Sequence, residues 1–128
     1  MGTNDLGHPG EPGCPIEELI SQEQFTEAVI RMAEEVHGLG AAFYGATITG
    51  RVWNPPYWTE EKENIRVEIN EWIRHSGVFD YVLDFDEVTR RGDHTMGMKA
   101  QFDSGDGLHP SAAGGAAIKE SIPLRLFS

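Results

Sequence analysis

The sequence predicts an α/β fold organised around a parallel sheet. Two segments with helical apolar spacing follow Ser21 and Thr59, and an apolar run follows each of them, near residues 41–48 and 80–86. Helices that alternate with apolar strands are typical of α/β proteins. A continuous apolar run of strand length favours a strand buried on both faces, as in parallel sheets.

The first helix has clear start and stop signals. Ser21 and Gln24 form a capping-box pattern, and Gly38 is expected to end the helix. Its apolar positions recur at helical spacing: Phe25, Ala28, Val29, Met32, Ala33 and Val36.

The second helix has equivalent signals. Thr59 is predicted to cap it, acidic residues occupy the first turn, and Gly77 is expected to end it. Its predicted buried stripe consists of Ile65, Ile69, Trp72 and Ile73. A third helix is predicted from Ser111 through Lys119, with Pro110 at its first position.

The connecting segments are rich in turn-forming residues. Residues 2–15 contain four glycines and three prolines and are predicted to be loop throughout. Further loops are predicted over residues 50–58 and 90–105. Trp53, Tyr57 and Trp58 lie in the first of these, where packing of the loop is the preferred interpretation and a substrate groove is the alternative.

Composition limits the class of protein. A chain of 128 residues with 39% apolar residues can form one domain but not two. The net charge of -11 argues against nucleic acid and anionic membrane surfaces as partners. The single cysteine, Cys14, excludes an internal disulfide and a cysteine-rich zinc site. No apolar run is long enough to span a bilayer.

The chemistry of the chain is concentrated at Asp106-Gly107-Leu108-His109. A carboxylate three residues before a histidine on a glycine-containing loop can bind one nitrogen of the imidazole ring. The bond fixes the tautomer and leaves the other nitrogen free to accept a proton. Metal binding by Asp103, Asp106 and His109 is a weaker alternative, because the spacing is not regular.

Taken with Gly2-Thr3-Asn4-Asp5 at the other end of the chain, this segment resembles the SGNH (GDSL-type) ester hydrolases. Leu6-Gly7 after the Asn-Asp pair and Pro110-Ser111 after the histidine add to the likeness. The resemblance implies a three-layer α/β/α flavodoxin-like fold and a serine esterase without cofactor or metal. It places the oxyanion donor at Asn4 and the triad acid and base at Asp106 and His109.

The nucleophile that the resemblance implies is not found. Those enzymes carry their serine in a Gly-Asp-Ser block, and this chain has none. Ser104, five residues before His109, is an unfavourable substitute because it belongs to the loop that carries Asp106 and His109, the proposed dyad. We therefore expect residues 1–128 to form one partial domain, the C-terminal part of such a hydrolase without its nucleophile block.

Several expectations follow from this interpretation. The substrate class would be a carboxylic ester, including acetyl esters of carbohydrates, and the partner a small-molecule or carbohydrate ester. The alternatives are an inactive remnant and, more weakly, a carbohydrate-binding remnant. An unpaired sheet edge would favour self-association. Proteins of this kind are often secreted, but no signal peptide is recognised here, so the localisation is left open.

Overall fold

The computed structural model describes residues 2–54, 56–92 and 97–128. Pro55 and His94, both assigned to loops from the sequence, lie outside this part. The helices are α1 (Thr3–Gly7), α2 (Gln22–Gly38), α3 (Glu60–His75), α4 (Phe85–Thr89) and α5 (Ala112–Ser121). The strands are β1 (Tyr44–Ala46) and β2 (Tyr81–Leu83), and 3-10 turns lie at Ile16–Glu18, Ala100–Phe102 and Leu124–Phe127.

The predicted starts of the first two helices, α2 and α3, are confirmed. The Ser21 hydroxyl accepts a hydrogen bond from the Gln24 amide, and the Gln24 side chain accepts one from the Ser21 amide. At α3, the Thr59 hydroxyl accepts a hydrogen bond from the Lys62 amide, without a reciprocal bond. The predicted end of α2 is early by one residue, since the helix includes Gly38 and the chain reverses at Gly40, where φ is +73°.

The two strands form the predicted parallel pair, with Tyr44 opposite Tyr81 and Ala46 opposite Leu83. Both strands are shorter than predicted, because the flanking backbone groups bond to side chains instead of to a neighbouring strand. After β1, the amide and the carbonyl of Ile48 are bound by the Asn70 side chain. After β2, Asp84 caps α4 by accepting from the Glu87 amide, so the chain turns into a helix.

The core lies on the face of the sheet that Val82 covers. It consists of Leu6, Phe25, Val29, Ile48, Trp58, Ile69 and Ile73, which are all buried. Gly45 also lies close to this side, where a β-carbon would come within 2.6 Å of the Phe79 ring. α2 and α1 both pack against α3.

The prediction that β1 is buried on both faces is wrong, because Tyr44 and Ala46 are exposed. Their face of the sheet is approached by the C-terminal 3-10 turn. The Tyr44 hydroxyl donates to the Leu126 carbonyl, and Arg125 lies over the Tyr81 ring. The chain is therefore α/β with a parallel pair of strands, while the three-layer flavodoxin-like arrangement stays a prediction.

Two short helices were not predicted. α1 lies in the segment assigned to loop, because the Asp5 carboxylate accepts from the Gly2 amide and closes the first turn. Leu6, at the end of that turn, is completely buried. α4 lies in and after the predicted second strand, where the Asp84 cap overrides the apolar pattern. Short helices that depend on one cap and one buried side chain leave little periodic signal.

Adjacent glycines in α5 provide a matched test of its packing. A β-carbon at Gly114 would lie 2.5 Å from the Phe102 carbonyl oxygen, whereas nothing lies within 4 Å of one at Gly115. We expect Gly114→Ala to lower the free energy of unfolding by about 2 kcal/mol, because backbone has to move. Gly115→Ala is expected to raise it by about 0.5 kcal/mol through helix propensity. Urea denaturation of both variants measures the difference, and equal effects would contradict the packing described here.

Candidate functional site

The Asp106–His109 loop holds a hydrogen-bonded carboxylate and imidazole. The Nδ1 atom of His109 lies 2.6 Å from Oδ2 of Asp106, as predicted from the sequence. The other carboxylate oxygen accepts from the backbone amides of Leu108 and His109, at 2.9 and 2.8 Å. The side chains of Asp106 and His109 are 50% and 70% exposed, so the ring is open to an incoming group.

These contacts favour the ionised form of Asp106 and fix the tautomer of the neutral His109 ring. The hydrogen bond from the His109 ring, together with the amides of His109 and Leu108, holds the pKa of the Asp106 carboxyl well below its usual range. An ionised carboxylate can only accept, so in the neutral imidazole Nδ1 carries the hydrogen and donates it. The lone pair on Nε2 is then free to accept a proton.

Asp103 gives the loop its shape. One of its carboxylate oxygens accepts from the amides of Gly105 and Gly107, at 2.6 and 3.1 Å. Both glycines have positive φ. The chain has to turn tightly for both amides to reach the Asp103 carboxylate, and glycine adopts the required conformation at little cost. The Asp103 carboxylate therefore orders the backbone immediately before the dyad.

The same loop leads into α5. Ser111 is the N-cap of that helix, since its hydroxyl accepts from the Gly114 amide. The sequence predicted Pro110 at the first helical position, and this is wrong, because Pro110 lies one residue before the cap. It forms an antiparallel bridge with Asp103, which closes the loop at its base.

Asn4 lies exposed on α1, and the segment after β1 links it to the dyad. The Gly107 carbonyl accepts from the Val52 amide at 2.9 Å. On the other side, the Arg51 guanidinium lies against Gly7, where any side chain would collide with it. Burial lowers the pKa of the Arg51 guanidinium, and the charges of Glu11 and then Asp106 offset part of that effect. α1 and the dyad loop thus contact two adjacent residues of one segment, Arg51 and Val52, beyond the carboxyl end of β1.

Lys62 binds the C-terminal end of α1 through hydrogen bonds from its ammonium. Its side chain has no exposed surface, and its ammonium donates to the carbonyls of Gly7, Pro9 and Tyr57, at 2.9, 2.5 and 2.9 Å. The Pro56 carbonyl lies further away, at 3.3 Å. Burial, followed by the charge of Arg51, lowers the pKa of the ammonium. One cation therefore joins the end of α1 to the loop before α3.

A second buried cation holds the chain where it leaves β1. The Nη1 atom of Arg66 donates to the Ile48 carbonyl at 2.7 Å and to the Asp86 carboxylate at 2.8 Å. Asn70 binds both the amide and the carbonyl of Ile48. Glu63 accepts from Nε and Nη2 of the same guanidinium. This network fixes the direction in which residues 49–52 continue towards the dyad loop.

The neighbouring Arg74–Asp84 pair predicts a loss of stability in acid. Burial alone would raise the pKa of Asp84, but hydrogen bonds from Arg74, the Glu87 amide and Thr47 lower it to about 2. The pKa of an aspartate in an unfolded chain is about 3.9. The stabilisation is therefore complete above about pH 4 and is lost as the pH falls towards about 2.

We expect the free energy of unfolding, measured in urea from neutral pH downwards, to fall across that window. Asp84→Asn should lower the value at neutral pH and reduce the slope below about pH 4. Glu68→Gln, which removes an exposed carboxylate, serves as the control and should leave the slope unchanged. An unchanged slope in Asp84→Asn would show that other carboxylates cause the loss.

The serines of the chain are all described, and none has a hydrogen bond to the His109 ring in the structure. Ser21 and Ser111 cap helices, and Ser76 follows the end of α3 and accepts from the Val78 amide. Ser104 contributes, after His109 and the amides of His109 and Leu108, to lowering the pKa of the Asp106 carboxyl. Ser121 and Ser128 donate to backbone carbonyls.

The aromatic residues of the loop after β1 divide between packing and exposure. Trp58 is completely buried in the core, beneath the Arg51 guanidinium at 4.9 Å, as the packing interpretation requires. Trp53 is 51% exposed and lines a groove of about 850 Å³ that reaches Asp106 and Gly107. Tyr57 is half-buried and is not part of the lining of this groove, so the alternative interpretation applies to Trp53 alone among these three.

Sequence reasoning missed Arg51 and Lys62. Neither belongs to a motif, and only their contacts with α1 and its surroundings reveal them. In the described ranges, no group of three or more His, Cys, Asp or Glu side chains is placed to hold a metal ion. Within those same ranges, no helix has the length and apolar character needed to cross a membrane.

The parallel strands, with a carboxylate–imidazole pair on a loop packed beyond the end of β1, define an α/β protein with an exposed acid–base pair. Residues 1–117 match the family model of the GDSL-like lipase/acylhydrolases. The chain belongs to the GDSL-like lipase/acylhydrolase family, as the resemblance in its sequence indicated. A search of curated proteins found no match.

Proposed function

We propose that this chain supplies the acid, the base and an oxyanion donor of a serine ester hydrolase. The observation that carries the proposal is the 2.6 Å bond between His109 and Asp106, with the ring largely exposed. A neutral imidazole held in this way can remove a proton from a serine hydroxyl as the hydroxyl attacks an ester carbonyl. It returns the proton to the departing alcohol when the tetrahedral intermediate collapses, which leaves the acyl group on the serine. The same imidazole then takes a proton from water, which attacks the acyl group, and returns it to the serine oxygen as the carboxylic acid departs.

In this proposal the Asn4 side-chain amide donates to the oxygen that becomes negative in the tetrahedral intermediate. Support comes from the location of α1, which packs on the same Arg51–Val52 segment as the dyad loop. A donor aimed at that oxygen stabilises the transition state more than the bound ester, so its loss lowers kcat. Asp106 remains ionised throughout and stabilises the imidazolium that forms.

The nucleophile is proposed to come from a segment that carries Gly-Asp-Ser, joined before Gly2 in a complete domain. Support comes from the serines of the chain, whose hydroxyls bond elsewhere. The substrate would be a carboxylic ester, and the reaction needs no cofactor, because the attacking and departing groups exchange protons through His109 alone.

An aryl acetate assay tests the proposal. The 128-residue chain alone is expected to show no turnover above a His109→Ala control. A domain in which a Gly-Asp-Ser segment precedes it is expected to be active, and Asn4→Ala should lower kcat by about 10²–10³-fold in that domain. Turnover by the chain alone that is lost in His109→Ala would refute the proposed source of the nucleophile. An unchanged kcat in Asn4→Ala would remove Asn4 from the site.

A further inference from the structure

Strand β1 has one edge that the described part of the chain leaves open. β2 pairs along the other edge, where the Thr47 amide donates to the Leu83 carbonyl. Alternate residues of a strand direct their backbone groups to the same edge, so the amides and carbonyls of Tyr44 and Ala46 point away from β2. Among the described residues, no loop, turn or side chain bonds to these backbone groups. They form a short unpaired edge of the sheet.

The side chains at this edge also face solvent. Tyr44 is 38% exposed and Ala46 is exposed, whereas Gly45 between them is buried. The C-terminal 3-10 turn, which the Tyr44 hydroxyl contacts, adds apolar surface through Leu124 and Phe127, which are 85% and 74% exposed. An open strand edge beside exposed apolar side chains is a place at which a sheet can take up a further strand.

The distribution of charge favours a second copy of the chain as that partner. The net charge is -11, and nine glutamates lie on α2 and α3, so copies that meet through those helices repel each other. Residues 41–48 carry no charged side chain, and Arg125 is the one charged residue among residues 122–128. Two copies can therefore approach through these two segments without opposing acidic side chains.

The edge is also complementary to itself. A two-fold axis at Gly45 would place Tyr44 of one copy opposite Ala46 of the other, in an antiparallel register. Each such pair exchanges two hydrogen bonds, one from each amide. The large side chain lies beside the small one at both pairs, as a symmetric contact requires. We propose that β1 pairs in this way with β1 of a second copy, which extends the sheet to four strands across a dimer.

The proposed dimer is weak. In each copy the contact consists of three residues of β1 and the exposed side chains beside them. This is small by comparison with the roughly 1,200–2,000 Å² that stable complexes bury, and smaller contacts are typical of transient association. The dimer should therefore dissociate on dilution.

Sedimentation velocity on the 128-residue chain, over a series of protein concentrations, measures the association. We expect a monomer at low concentration and a dimer at high concentration. Hydrogen exchange followed by NMR locates the contact. The amides of Tyr44 and Ala46 should exchange more slowly as the concentration rises, because each then donates to the second copy. The Gly45 amide points to β2 in both states and is the internal control, whose exchange should change much less.

Two substitutions at Ala46 test the pairing itself. Ala46→Lys places two ammonium groups diagonally across the axis, and charged side chains on an edge strand oppose edge-to-edge pairing. Ala46→Pro removes the amide hydrogen that donates to the second copy, while the bonds between β1 and β2 do not use it. Each is expected to raise the Kd of the dimer at least about tenfold. Ala113→Lys makes the same change of charge at an exposed residue of α5 and should leave the Kd unchanged.

Urea denaturation at low concentration shows whether each variant is folded. If Ala46→Pro does not fold, Ala46→Lys and the exchange pattern decide the outcome. The proposal is overturned if the chain stays a monomer at every concentration, if Ala46→Lys leaves the Kd unchanged, or if Ala113→Lys weakens the dimer equally. Slower exchange confined to α2 or α3 would assign the dimer to another surface and also contradict it. These measurements do not involve His109, so they are separate from the tests of the proposed function.

Discussion

His109→Ala is expected to lower kcat by at least about 10³-fold on an aryl acetate, in a domain that joins this chain to a Gly-Asp-Ser segment. The imidazole is the proposed group that takes the proton from the nucleophile and returns it to the alcohol. Its loss removes both steps, while KM should change little because the ring contributes little to binding of the ester. Steady-state rates over a range of substrate concentrations separate the two constants.

Asp106→Asn provides a graded comparison. An amide can direct its N–H₂ group at Nδ1 and favour the tautomer in which Nε2 carries the hydrogen, which cannot accept a proton. We expect a loss of about 10²-fold, smaller than in buried triads because Asp106 is half exposed. His75→Ala, which removes an imidazole that is 73% exposed at the end of α3, is the matched control and should retain full activity. Undiminished turnover in His109→Ala would show that another base operates.

Lys62→Met is expected to lower the free energy of unfolding by about 3–5 kcal/mol. Methionine has similar length but no donor, so the carbonyls of Gly7, Pro9 and Tyr57 would be left buried without their partner. This is a large fraction of the stability of an ordinary domain. Urea denaturation measures the change, and far-ultraviolet circular dichroism shows whether the variant is folded before denaturant is added.

Lys119→Met is the matched control, since Lys119 is exposed on α5, and its effect should stay within about 0.5 kcal/mol. If Lys62→Met cannot be obtained folded, Lys62→Arg can be measured instead. Arginine keeps the charge but does not fit between the three carbonyls, so a smaller loss in the free energy of unfolding is expected. A change below about 1 kcal/mol in Lys62→Met would mean that the carbonyls find other donors, and the anchoring of α1 by Lys62 would be wrong.

The parts of the fold that could be predicted are those in which local chemistry and packing agree. Ser21 and Thr59 cap helices whose apolar stripes face the core, apart from Met32 of the first stripe, which is 39% exposed. The strand lengths could not be predicted, because Asn70 and Arg66 bind the backbone of Ile48 from another element. The exposure of Tyr44 also depends on long-range packing, which an apolar run does not specify.

The site divides in the same way. The Asp106–His109 bond joins residues three apart on one loop, so a short motif contains all the information needed to predict it. The location of Asn4 relative to that loop depends on Arg51 and Lys62, which contact α1 and its following turn from distant parts of the chain. Neither residue has a distinctive sequence context. Trp53 and Trp58 had the same sequence signal, and only burial separates them.

Covalent trapping tests most directly whether His109 activates a serine from outside these 128 residues. A fluorophosphonate reacts with a serine only when a neighbouring base activates it. In the domain restored with a Gly-Asp-Ser segment, mass spectrometry of peptides should locate the adduct on that serine, and the adduct should disappear in His109→Ala. An adduct on Ser104, or undiminished labelling in His109→Ala, would contradict the account.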